Sequence, residues 1–307
     1  MKLSALIASL NVSTLQSLLC QNHEWQFWKL YLKVRSSRYP NVMDQNLWSQ
    51  LHEHRSYISK LVFAIFIHLA CIAGFSSDYN STPKLTLFWA ITGFLTLINV
   101  IRNGQMILCM ELIRIEVEHL EKDLITLNEF IQWETPNVAF PQFDEFIRLR
   151  IVEKQKIYED IFGMSQSFQE ACNWSMVVHL LRGYIRVLVE FYFCIFLGMK
   201  TWKPMQDLLL VPAILEIPMF LLTAKSCMNA AKYISYRVHN LKHSADNIAA
   251  SVQIQNFSLQ ILHQQIKIDG LGIASMDGYM LTKAVGSITT YMVFFIQFMP
   301  KFKSKFD

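Results

Sequence analysis

The chain has 307 residues, 52% of them hydrophobic and only 17% charged, with a formal net charge of +4. Soluble domains carry about 25% charged residues, so an ordinary soluble domain is a poor fit. An aromatic content of 13% excludes a disordered or nucleic-acid-coating chain, and so small a net charge calls for no nucleic-acid partner.

Residues 1–58 contain Trp25, Trp28, Arg35 and Arg38 but no apolar window long enough to span a membrane. Lys2 and the run Leu3–Leu10 make no convincing signal peptide, because the run is short and no A-x-A site follows. Downstream, Leu61–Ser77, Leu85–Ile101 and Ala284–Pro300 each run 17 residues without Asp, Glu, Lys or Arg. Leu208–Ala224 matches them apart from Glu216, and Ala171–Met199 is interrupted by Arg182, Arg186 and Glu190. A membrane-crossing helix needs about 17–25 mostly apolar residues. Core helices of a soluble protein rarely lose charge on every face over so many turns. The predicted fold class is therefore all-α, a polytopic helical membrane protein. Its segments are two spans in 59–112, a helical loop in 113–170, two spans in 171–224, a second helical loop in 225–280, a last span in 281–300 and a tail in 301–307.

Orientation follows from Lys and Arg. Residues 1–60, 102–170 and 225–283 together hold twenty, against six in the alternate connections. Positive charge stays on the cytoplasmic side, which predicts a cytoplasmic N-terminus and two cytoplasmic loops, with an external tail that carries Lys301, Lys303 and Lys305. Of the sequons, only Asn80-Ser-Thr falls outside, too close to the bilayer for glycosylation; Asn11, Asn173 and Asn256 read as chance matches. The six cysteines show no CxxC spacing and suit apolar packing.

The loops are predicted to be helical. Ile113, Val117, Leu120, Leu124, Leu127 and Ile131 step by four and three before Pro136. Ile147, Ile151, Tyr158 and Ile161 form a second stripe, and Ile234, Val238, Leu241, Ala245, Ile248 and Val252 a third. Membrane helices that continue into the cytoplasm and pack as a bundle fit these stripes. Amphipathic helices on the membrane surface are the other reading, against which the mixed sign of their polar faces counts.

Enzyme motifs are absent, with no Walker A, GxSxG, HExxH or GxGxxG, and neither His239/His243 nor His52-Glu53-His54 makes a metal site. No cofactor is expected. Arg182, Arg186 and Glu190 share one helical face, allowing an Arg186–Glu190 pair, unless the span begins near Val187 and the arginines lie below it. Glu216 lies between Pro212 and Pro218, where broken helical hydrogen bonding would suit a water-filled cavity or a hydrated surface. In the last span Thr290-Tyr291, five apolar residues and Gln297-Phe298 follow one another. Gly286, Thr290, Val293 and Gln297 share nearly one face, a small and polar stripe that either packs against another helix or lines a pore.

The segment Phe257-Ser-Leu-Gln-Ile-Leu-His, the glycines Gly270 and Gly272, and Gly286-Ser-Ile-Thr-Thr-Tyr-Met-Val-Phe-Phe-Ile-Gln-Phe resemble the C-terminal signature of insect gustatory receptors. Its motif residues here are Thr290, Tyr291, Gln297 and Phe298, and the order of spans from about residue 59 to 299 is similar too. The resemblance implies a cell-membrane chemoreceptor subunit with seven helices and a cytoplasmic N-terminus. It also implies a homo- or hetero-tetramer around a cation-conducting pore opened by a small-molecule tastant, with the cytosolic helices as the anchor where subunits meet. The pore helix would be roughly 281–298, lined by Gln297, with Phe294 as an apolar gate. The small-residue face favours Val293 instead, about 100° of helix rotation away. A ligand pocket among the outer helix halves would draw on Phe88, Trp89, Phe191, Tyr192 and Phe193, unless these face lipid. Five spans where seven are implied suggest a chain without the first two, and a shortened, non-conducting membrane assembly protein is then an alternative. A G-protein-coupled receptor would have an external N-terminus and Asp-Arg-Tyr and Asn-Pro-x-x-Tyr motifs, which do not occur.

Overall fold

The computed structural model describes residues 11–12, 14–16, 18–38, 59, 62–63, 65–66, 83–134, 141–198, 204–241, 248–272 and 274–298. Nearly all of the first predicted span, together with Asn80, His52, His54 and His243, lies outside them. The described elements are α1 (Gln21–Arg38), α2 (Pro83–Glu134), α3 (Pro141–Gly198), α4 (Pro204–His239), α5 (Ile248–His263), β1 (Asp269–Gly270), β2 (Ala274–Ser275) and α6 (Gly278–Phe298). Among the described residues the secondary structure is helical, apart from one small antiparallel ladder that pairs Asp269 with Ser275 and Gly270 with Ala274.

The three long helices, of 52, 58 and 36 residues, each begin on a proline. Proline suits the first helical turn, where its missing N–H has no partner to lose and its φ is already helical. Windows separated in the sequence by hydropathy therefore join: residues 85–101 and the stripe Ile113–Ile131 lie on one helix, α2. Helix α4 also runs unbroken through Pro212 and Pro218, so the predicted break around Glu216 does not occur. Each internal proline removes one donor, and the flanking turns hold the helix.

Helix α3 is the hub, touching each of the other helices and β1. Its stripe Ile147, Ile151, Tyr158 and Ile161 is buried, as is the α2 stripe from Ile113 through Ile131. Each large aliphatic side chain so placed contributes about 1.5–3 kcal/mol relative to exposure. The third predicted stripe holds only in part. Ile234, Val238 and Leu241 are buried, but Val252 is exposed, and Ala250, Ile254, Phe257 and Ile261 take the inward positions instead. The reason is a lost phase: α4 ends at His239 and α5 starts at Ile248, so the periodicity of one helix does not carry into the next.

Charged side chains tie the helices where apolar stripes leave gaps. Glu116 on α2 is fully buried, with Arg38 Nη1 2.6 Å from Oε2 and Arg35 Nη1 3.6 Å from Oε1. A buried carboxylate is tolerated only when paired in this way. Asp123 extends the ladder, meeting Arg38 Nε at 3.7 Å and Lys154 Nζ of α3 at 3.1 Å. Lys33–Asp160 joins α1 to α3 at 2.6 Å, and Arg237–Glu121 joins α4 to α2 at 2.9 Å. Arg114 is clasped by Glu111 and Glu118, and the Glu111 hydrogen bond raises its pKa further.

Candidate functional site

Helix α6 begins on a capping aspartate. The Asp277 carboxylate accepts hydrogen bonds from the Tyr279 and Met280 N–H groups, both at 3.0 Å. This satisfies two of the donors that a helix start leaves without partners. The incoming chain makes a tight turn with Leu271 at φ 57° and Gly272 at φ 67°. Glycine occupies that left-handed region freely, whereas leucine is strained there, and helix α3 holds the strained residue in place. The Asn173 side chain accepts the Leu271 N–H, the Gln169 amide donates to the Asp269 carbonyl at 3.1 Å, and the Tyr158 hydroxyl donates to the Gln264 carbonyl at 2.7 Å. Burial keeps the Tyr158 hydroxyl protonated well above the ordinary tyrosine range. Asn173, read from sequence as a chance sequon, has this internal role.

Along α6 itself, one face packs and the rest does not. Met292 is buried, Leu281, Ala284, Ser287, Ile288 and Phe295 are half-buried, and Gly286, Thr290, Val293 and Gln297 are exposed. At roughly 100° per residue, the line through Gly286, Thr290, Val293 and Gln297 lies opposite the line through Leu281, Ala284, Ile288 and Phe295. Val285, Thr289 and Ile296, also exposed, occupy a flank between them. The covered face is held by α3 at two levels: the Tyr184 hydroxyl and Ser287 Oγ share a hydrogen bond at 2.7 Å, and the Tyr192 and Phe295 rings meet edge-on at 5.9 Å.

The predicted site residues therefore separate. Thr290, Val293 and Gln297 come together on the uncovered line, and Val293 and Phe294 are equally open at 48% and 51% exposure. Phe294 sits about 100° around the helix from Val293 and contacts the Phe295 ring. Tyr291 is exposed, and the side chain of Phe298 lies outside the described residues. Of the pocket candidates, Phe191 packs partly buried against the core and Tyr192 meets Phe295. Phe88, Trp89 and Phe193 lie on helices, but their side chains are outside the described residues. Among the described residues, no group of His, Cys, Asp and Glu is placed to hold a metal ion.

The charged residues of the third predicted span resolve into a tie between helices. Arg182 pairs with Glu216 of α4, and Arg186 Nη1 lies 3.2 Å from Glu216 Oε2, so both arginines reach across to the neighbouring helix. His179 Nδ1 is 3.7 Å from the same carboxylate. His179, Arg182 and Arg186 stand three and four residues apart, a spacing that places them on one face. That signal was available in the sequence, but its partner on another helix was not. Directly beside the cluster, a Cβ on Gly183 would lie 2.9 Å from Ile217 Cγ1, so α3 and α4 approach closely there.

Comparison with known proteins places this architecture. A curated relative, the putative gustatory receptor 2a of Drosophila melanogaster, is 41% identical over 51 residues, which are 17% of this chain and 12% of that receptor's length. In the solved structure of the insect olfactory receptor OR5 from Machilis hrabei, the likeness covers 97% of this chain and 80% of that one, with a TM-score of 0.60 and 11% identity. The structure of OR5 in complex with eugenol is similar over 95% and 87%, with a TM-score of 0.51. At such identity these two matches speak for the fold alone. The family described as 7tm Chemosensory receptor matches residues 12–302, and the chain belongs to that family, the insect chemoreceptors.

Proposed function

We propose that the chain is a gustatory-type receptor subunit, a ligand-gated, non-selective cation channel that opens when a small-molecule tastant binds. Four subunits, identical or mixed, surround a pore, and α6 lines it with its Gly286–Thr290–Val293–Gln297 face. The N-terminus and the helical segments 113–170 and 225–280 lie on the cytoplasmic side, as the Lys and Arg distribution favours.

One observation carries the reading. The small and polar line on α6 lies opposite the face that packs on its own chain, leaving neutral polar groups farthest from the protein core. Lipid offers Gln297 no hydrogen-bond partner, whereas a water-filled axis does. The complex of OR5 with eugenol supports a small organic ligand by analogy of fold. Phe191 and Tyr192 on α3 would then link a pocket to the pore helix, because Tyr192 already touches Phe295. Phe294 flanks the axis as the gate, and ligand binding shifts a closed–open equilibrium by its differential affinity for the two states. Membership of a receptor family points away from catalysis.

The test is Gln297→Arg. A guanidinium at the pore axis should abolish agonist-evoked current or shift its cation selectivity. Unchanged currents from a verified assembly would remove α6 from the pore.

A further inference from the structure

We infer that Lys283 sets the direction dependence of ion flow, acting as a ring of positive charge at the cytoplasmic mouth of the pore; this rests on the assignment of α6 as pore-lining. Lys283 is exposed and follows the same side of α6 as Gly286, Thr290 and Gln297, away from the covered face. Its Nζ stands 4.3 Å over the Tyr279 ring, which faces the same way. A cation–π contact of this kind holds the ammonium beside the helix without neutralising it.

No carboxylate among the described residues forms an ion pair with Lys283. Asp277, six residues earlier, is directed at the Tyr279 and Met280 N–H groups. A second cation lies close by, since Lys225 Nζ would stand 3.0 Å from a Cβ on Gly278. Positive charge at a helix N-terminus opposes the macrodipole, so neither lysine is there to stabilise α6. Lys283 precedes Gln297 by 14 residues, about 21 Å along the helix, at the opposite end of the proposed pore.

Four such charges facing one axis lower the cation concentration available for outward flow and leave the outer entrance unaffected. At about 0.15 M ionic strength the local depletion is on the order of two- to fourfold. The assembly should therefore pass inward current more readily than outward current.

The experiment compares outward-to-inward current ratios at matched voltages for the wild-type chain, Lys283→Arg, Lys283→Gln and Lys283→Glu, with Gln297→Arg measured alongside. Lys283→Gln should raise the ratio about twofold, Lys283→Glu should raise it further, and Lys283→Arg should preserve it, with larger differences at low salt. If Gln297→Arg alters current while all Lys283 variants rectify alike, the inference fails and the pore assignment stands. If neither position has any effect, the pore assignment fails and takes the inference with it. Where an assembly passes no current, bismaleimide cross-linking decides the matter. Lys283→Cys should join subunits, whereas Val285→Cys, on the flank of α6, should not; equal or reversed yields overturn the inference.

Discussion

The helical bundle and α6 draw on similar residues but place them differently. Both contain a stretch long and apolar enough to cross a membrane, Gly93–Trp133 and Gly278–Gln297, yet 44% of the former's most apolar window is buried within the chain and only 6% of the latter's. The bundle supplies its own partners, down to a buried glutamate held by two arginines. Helix α6 has one face covered by the described residues and leaves the others exposed. The contrast separates a region whose residues explain its stability from one whose exposed residues, on the function proposed above, face a pore and a bilayer.

That contrast can be broken in the bundle first. Glu116→Ala leaves Arg35 and Arg38 buried beside an empty position and should destabilise the fold by about 3–5 kcal/mol, read as a lower unfolding midpoint in detergent. Gln297→Ala on the open face should leave the midpoint unchanged. A comparable loss from both would erase the distinction between the two regions.

Two glycines sharpen it at smaller scale. Gly183→Val drives a side chain into Ile217 across the α3–α4 contact and should cost about 1–3 kcal/mol. A Cβ on Gly286 meets nothing within 4 Å. Gly286→Ala should therefore stabilise the helix by about 0.5–1 kcal/mol while altering single-channel conductance. Thermal unfolding measures the first effect and single-channel recording the second. Equal destabilisation by both substitutions would mean that the face of α6 bearing Gly286 is covered after all.

The sequence carried the local rules and missed the distant partners. The periodic stripes from Ile113 to Ile131 and from Ile147 to Ile161 were legible because the helical period alone decides which residues share a face. Val252 was misplaced because the interruption between α4 and α5 resets that period. Glu216 illustrates a different limit: its partners Arg182 and Arg186 lie 34 and 30 residues earlier on another helix, and only the packing of α3 against α4 brings them together. The clamp of Tyr158, Gln169 and Asn173 on the turn before α6 was equally hidden, since it uses backbone groups that no side-chain pattern announces. The stripe on α6 was legible as a stripe, and its position opposite the covered face needed the fold.

In the proposed channel the Gly286–Gln297 line of α6 faces water within an assembly of subunits. Single cysteines placed from position 284 to 297 and labelled in intact membranes with a charged, bilayer-impermeant thiol reagent test it most directly. Labelling above the native-cysteine background is expected at 286, 290, 293 and 297, with protection at 284, 288, 292 and 295 and on the flank at 285, 289 and 296. Labelling that peaks on the 285–289–296 flank, or that runs evenly around the helix, would contradict it.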